Sequence, residues 1–224
     1  MHRNVIVSAA IAGFVLVAAP AHAENVTFSG FADGSKSVNY KLSAPNISVQ
    51  GSANAGGFDT SVNGGASFVS YCIDLYQTIG FNTPYNGYSK VLGSAYSFVN
   101  TNANSDLAKL FSAGHLVNDS KTSAAFQIAV WEIAYESSGL YDLSNGAAKF
   151  SGGSAGTSGA LTLASGWLAS LASVADVDIH VLKSGQHQDM VYAAPVPEPS
   201  TYALMLAGLA GVGFVARRRR AQRV

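Results

Sequence analysis

Every arginine in this 224-residue chain lies near one terminus: Arg3 at the start, and Arg217, Arg218, Arg219, Arg220 and Arg223 at the end. Each basic end adjoins an uncharged, largely apolar run, residues 5–19 and 201–216. Runs of that kind are read by export machinery or lipid rather than packed into a core. The folded body must therefore come from the stretch between them, which is the length of one domain.

That stretch has a different composition. Residues 24–195 hold seven lysines (36, 41, 90, 109, 121, 149 and 183) against twelve acids, a net charge of −5 hidden by the whole-chain value of zero. An arginine-free, mildly acidic body lacks the basic face that nucleic acid requires, so no nucleic-acid partner is expected. Only 12% of residues are charged, while 48% are hydrophobic and 23 are glycine. This is the composition of an ordered, exported, β-rich domain. Cys72 is the sole cysteine, which excludes an internal disulfide and a cysteine-rich metal site.

Residues 1–23 read as a signal peptide, with a polar start at His2 and Arg3, the apolar run, and Ala21-His22-Ala23 as a small-x-small cleavage site. At the other end Pro197-Glu198-Pro199 precedes the apolar run 201–216 and the arginines Arg217, Arg218, Arg219 and Arg220. Sixteen residues are just under the ~17–25 that cross a bilayer as a helix. The arginines would act as a cytoplasmic stop and leave the body outside. These three parts, in this order, resemble the PEP-CTERM sorting signal of Gram-negative bacteria that make extracellular polysaccharide. The resemblance implies an exosortase-type processing enzyme as partner. It implies a destination at the cell surface or extracellular matrix, reached through transient or stable membrane anchorage. A plain tail anchor is the alternative.

Between the ends, Val38, Tyr40 and Leu42 alternate with polar residues at a period of two. Strands are also expected at Val26–Phe31, 47–49, Phe58–Val62 and Ala66–Leu75, with turns at Asn63-Gly64-Gly65 and Tyr85-Asn86-Gly87-Tyr88. The period then changes. A helix is expected from Ser105 to Gly114, a second over Thr122–Tyr135, and a third over Leu161–Leu171 after a glycine-rich loop, Ser151–Gly159. Val177–Leu182 and Met190–Tyr192 return to strand, and 193–196 reads as a tether. The expected class is α+β: an antiparallel, β-rich domain over 24–193 with inserted helices, then a sorting segment over 194–224 with a transmembrane helix at 201–216.

Two segments carry the chemistry. Tyr71-Cys72-Ile73-Asp74 lies on an expected strand. Phe126-Gln127-Ile128-Ala129-Val130-Trp131 lies in the second expected helix, where Gln127 and Trp131, four apart, share a face. A glutamine inside an apolar helical run needs a partner for its amide if buried. Together the segments resemble the aromatic-Cys and Gln-x-Ala-[Ile/Val]-Trp signatures of bacterial thioester domains, which are surface-adhesin modules. The residue before Gln127 departs, being Phe126 where the family often has Thr. The resemblance implies an internal thioester joining Cys72 to Gln127. Tyr71, Phe126 and Trp131 would shield it from water, and Asp74 and Glu132 are the nearest carboxylates able to move protons. The implied function is a single covalent capture of an amine-bearing surface target, with no turnover and no cofactor, hence an adhesin and not an enzyme.

Two other readings stay open on sequence alone. A buried lone cysteine also serves as a small hydrophobe. The body would then be a non-covalent matrix protein that binds exopolysaccharide through Tyr- and Asn-rich loops. His115, His180 and His187 are scattered, and Asp176, Asp178 and His180 on one strand face read as solvated, so no metal is expected. No phosphate-binding loop or hydrolase elbow is present. Asn25, Asn46 and Asn118 begin Asn-x-Ser/Thr triplets.

Overall fold

A computed structural model describes residues 23–43, 48–137, 140–195 and 204–213. Residues 1–22 of the expected signal peptide, Asn46, Pro197-Glu198-Pro199 and Arg217–Arg220 lie outside the described residues. Within the described residues of 23–195, nine strands and three α-helices follow in chain order, with a short 3-10 turn at Gly93–Ala95: β1 Glu24–Phe31, β2 Lys36–Leu42, β3 Val49–Ala55, β4 Phe58–Val62, β5 Phe68–Cys72, β6 Pro84–Leu92, α1 Ala103–Ser112, α2 Ser120–Tyr135, β7 Ala148–Gly152, α3 Thr157–Ala169, β8 Val177–Lys183 and β9 Met190–Pro195.

Six strands close into an antiparallel barrel in the order β1-β4-β5-β9-β8-β6, and β3-β2-β7 form a separate sheet. The class is α+β and strand-rich, as expected. Closure is new, because β1 pairs with both β4 and β6, and no local periodicity reports a pairing across some sixty residues. Alternation explains the barrel interior. Val26 and Phe28 of β1, Phe58 and Thr60 of β4, and Ser70 and Cys72 of β5 point inward and are buried. Phe28 meets Phe58 and Tyr88 edge-on at ring-centroid distances of 6.0 and 6.3 Å, a favoured quadrupole arrangement.

Helix α2 is wedged between barrel and sheet. It packs on α1, α3, β5 and all three sheet strands, and every residue from Ser123 to Tyr135 is buried. Such all-round burial matches the sequence from Ala124 to Tyr135, which is apolar or aromatic except at Gln127 and Glu132. Its start is fixed by a capping box. Asp119 Oδ1 accepts from Thr122 N at 2.7 Å, and Thr122 Oγ1 accepts from Asp119 N at 3.1 Å. Ser123 Oγ accepts the buried Gly57 N–H at 3.0 Å, which couples helix to barrel. Gly57 must be glycine because a Cβ there would come within 2.7 Å of Val69 and 3.1 Å of Tyr71.

Three local expectations are corrected. Tyr85–Tyr88 lies within β6 and is no turn: Tyr88 opposes Glu24 and Tyr85 opposes Val26, so the extra residue forms a bulge at Gly87, whose φ is +90°. Ser151–Gly159 is divided, because Ser151 and Gly152 pair with Asn39 and Val38 while Thr157 opens α3. Residues 193–195 belong to β9 and pair with Ile179, Asp178 and Val177. In each case backbone pairing overrides glycine and alanine composition. The expected strand through Leu75 stops at Cys72. Within the span 201–216, residues 204–213 are helical with exposed apolar side chains. No helix among the described residues is long and apolar enough to cross a membrane.

Ser123→Ala strands the buried Gly57 N–H and should lower stability by about 1–3 kcal/mol. Urea unfolding checks this, and an unchanged midpoint would show that α2 is not coupled to the barrel at this point.

Candidate functional site

Cys72 ends β5 on the barrel wall facing α2, and Gln127 sits in the middle of α2. Both are buried, Gln127 completely. The Gln127 amide lies against the cysteine's own backbone. Cys72 N–H donates to Gln127 Oε1 at 2.9 Å, and Gln127 Nε2 donates to Cys72 O at 2.8 Å. The side chain thus extends the β-ladder by one peptide-like unit and satisfies its amide where no water reaches. The two residues singled out by sequence motif, 55 positions apart, are brought together.

The thiol is turned into the next two residues. It donates to Asp74 O at 3.0 Å and accepts from Asp74 N at 3.3 Å. Burial pushes the Cys72 thiol up to about 12; the Trp131 indole and the Asp74 backbone favour the thiolate, and the carboxylates of Asp74 and Asp189 oppose it. The resting sulfur is therefore a neutral thiol. Trp131 Nε1 is buried and close enough to influence Cys72, but falls outside hydrogen-bond geometry.

Segment 73–75 is held from α2. Tyr135 OH donates to Ile73 O at 3.0 Å and accepts from Leu75 N at 3.1 Å. Ile73 N donates to Asp189 O at 3.0 Å, and Gln188 Nε2 donates to Asp74 O at 2.8 Å and Gln77 O at 3.1 Å. Gln127, Trp131 and Tyr135 stand at i, i+4 and i+8, one stripe of α2 aimed at the end of β5. That spacing is a sequence signal for Tyr135. Gln77 and Gln188 come from loops more than a hundred residues apart and had none.

The remaining expected residues are distributed differently. Trp131 stacks on Phe150, with ring centroids 6.0 Å apart, and lines a cleft of about 280 Å³ that also reaches Cys72. Tyr40, Phe31, Phe58, Phe81 and Gln77 line it from the other sides. Tyr71 and Phe126 pack on each other at 4.5 Å and line a different cleft with Phe111 and His115. The aromatic neighbours of the cysteine's cleft are thus Trp131, residues from β1, β2 and β4, and Phe81 from the loop before β6, while Tyr71 and Phe126 pack together in the other cleft. Asp74 meets the sulfur through its backbone, its carboxylate accepting from Tyr76 N at 2.9 Å. Burial pushes the Asp74 carboxyl up. Glu132 points away from Cys72, and its Oε1 accepts Asp142 N–H at 2.8 Å. His115 stacks on Trp167, His180 on Tyr192, and His187 lies against Tyr85. Among the described residues no group of three or more His, Cys, Asp or Glu side chains could hold a metal ion.

Glu132 makes a pH signature. Burial is the main cause that lifts its carboxyl from an ordinary 4.5 to about 8; the Asp142 N–H opposes this, and the charges of Glu136 and Asp142 add to it. Between those values the folded state keeps a proton that the unfolded chain has lost, so stability falls as pH rises through the window. Glu132→Gln keeps an acceptor for Asp142 and should flatten that fall. Melting temperatures from pH 5 to 8 measure it, and parallel profiles for mutant and wild type would contradict the assignment.

The family comparison concerns the tail. Residues 195–220 match the PEP-CTERM protein-sorting motif. No characterised protein matches the chain in sequence. Among solved structures, the body is similar to the N-terminal thioester domain of a surface protein from Clostridium perfringens, solved as a cysteine-to-alanine mutant. Identity is 10% and the TM-score 0.44, over 71% of this chain and 99% of that one. The tail is a sorting signal of the kind that implies exosortase processing, and it marks the chain for export and surface association in a Gram-negative bacterium.

Proposed function

We propose that the exported body forms an internal thioester between Cys72 and Gln127 and uses it once, to bind an amine-bearing partner covalently. The observation that carries this reading is the paired hydrogen bonding of a fully buried Gln127 amide to the Cys72 backbone. It fixes the carboxamide beside the only cysteine of the chain and aims a backbone N–H at its oxygen.

The chemistry balances without a cofactor. The Cys72 thiol adds to Gln127 Cδ, the Cys72 N–H stabilises the oxyanion developing on Oε1, and ammonia departs with the thiol's proton. A primary amine then attacks the same carbon. An amide forms at Gln127, and Cys72 regains its thiol by taking the proton released from the amine. Since the product is stable, the site does not turn over. The cleft beside Trp131 supplies the approach, and its aromatic walls limit water. The tail serves this use by holding the body at the outer surface, its apolar run in the membrane before processing and Arg217–Arg220 on the inner side.

The intact chain should weigh one ammonia less than its processed sequence. Cys72→Ala or Gln127→Ala should each abolish the deficit, and methylamine should convert it to an adduct while exposing a thiol. The bond would also close a loop across 55 positions, worth about 4 kcal/mol on loop entropy, so the wild type should melt above both variants. A mass equal to the unmodified sequence, with no methylamine adduct, would leave a non-covalent matrix protein as the reading. For sorting, deletion of residues 196–224 should move the body from the membrane to the soluble fraction; retention in the membrane would contradict the anchor.

A further inference from the structure

Four buried side-chain polar atoms among the described residues lack a hydrogen-bond partner, and two of them belong to residues that line the cleft reaching Cys72. One is an acceptor, Gln77 Oε1, and the other a donor, Trp131 Nε1. Leaving either unpaired costs about 1–3 kcal/mol. Gln77 is not loosely placed, because its backbone carbonyl is tied to Gln188 Nε2 at 3.1 Å. Trp131 is pinned by its stack on Phe150. The cleft that reaches Cys72 is thus lined by one residue with an unfilled acceptor and one with an unfilled donor.

Aminolysis of a thioester needs one of each. The attacking nitrogen becomes positively charged as it bonds to Gln127 Cδ, so an acceptor must receive its N–H. The sulfur becomes negative as the C–S bond breaks, so a donor must face it. The oxygen already has its donor in Cys72 N–H. We infer that Gln77 Oε1 receives an N–H of the incoming primary amine and that Trp131 Nε1–H is donated to Cys72 Sγ as it leaves. This rests on the covalent reading above and assigns two residues to its second step. The cleft's Phe31, Phe58, Ile79 and Phe81 are apolar, which suits an unbranched alkyl chain behind the amine. Proton balance is simple: the proton shed by the attacking nitrogen ends on the departing thiolate, whose burial favours the neutral thiol.

The test follows reaction of the full chain with n-butylamine by intact mass, in wild type, Gln77→Leu, Gln77→Glu and Trp131→Phe. All four should carry the ammonia deficit. Gln77→Leu should slow adduct formation about tenfold or more, the worth of one charge-assisted hydrogen bond. Gln77→Glu keeps an acceptor and should restore the rate, which a purely structural role would not predict. Trp131→Phe keeps the ring and should slow the reaction similarly, and the Cys72 thiol freed by the amine should then need higher pH for alkylation than in wild type. If the deficit forms but opening rates of Gln77→Leu and Trp131→Phe stay within about twofold of wild type, the assignment is overturned while the thioester stands. If wild type shows no deficit, the covalent reading and this assignment fall together. Should Trp131→Phe not assemble the bond, the Gln77 pair alone decides.

Discussion

A primary amide with no access to water must find protein partners or destabilise the fold by several kcal/mol. Gln127 finds them in the backbone of one residue, Cys72. This pairing sets the height of α2 against β5, and other contacts follow from it. Trp131 comes one turn later into the cleft, and Tyr135 two turns later onto the carbonyl of Ile73. Moving the helix by one residue would strand the amide, the tyrosine hydroxyl and the Gly57 N–H together. The barrel and the three-stranded sheet are two β systems held by a single helix whose polar interior residues can be satisfied in one position.

Much of this was legible in sequence, and for identifiable reasons. Each helix declared itself by apolar spacing and by a break such as Gly114, whose φ is +67°. The alternation of Val38, Tyr40 and Leu42 placed β2 to within two residues. Cys72 and Gln127 were found as a pair through two motifs that lie close only in space. Sequence was silent where a pairing is remote or carried by backbone alone: closure of β1 on β6, the whole of β7, and β9 running to Pro195. The Asn86-Gly87 step, a turn signal by composition, became a bulge because both flanking segments were already committed to β1. Gln77 and Gln188 reach the site through loops that carry no periodic signal. Tyr71 shows the limit of adjacency, for next to Cys72 on a strand means the opposite face, and Phe126 of α2 packs on Tyr71.

Tail and body make complementary physical demands. The thioester proposed above would be an electrophile that has to be assembled in a dry site and meet its partner outside the cell, and residues 195–220 match a protein-sorting motif. Burial pushes the Cys72 thiol up to about 12 and keeps it neutral, which limits its oxidation.

The most direct test is to map the bond to its atoms. The exported chain should be digested at mildly acidic pH and sequenced by tandem mass spectrometry, with and without prior methylamine. Without it, the peptide containing Cys72 should be joined to the peptide containing Gln127, one ammonia short. With it, the two should separate, Gln127 carrying the methylamide and Cys72 a free thiol. An unmodified Gln127 peptide and a free Cys72 peptide in both digests would contradict the covalent account.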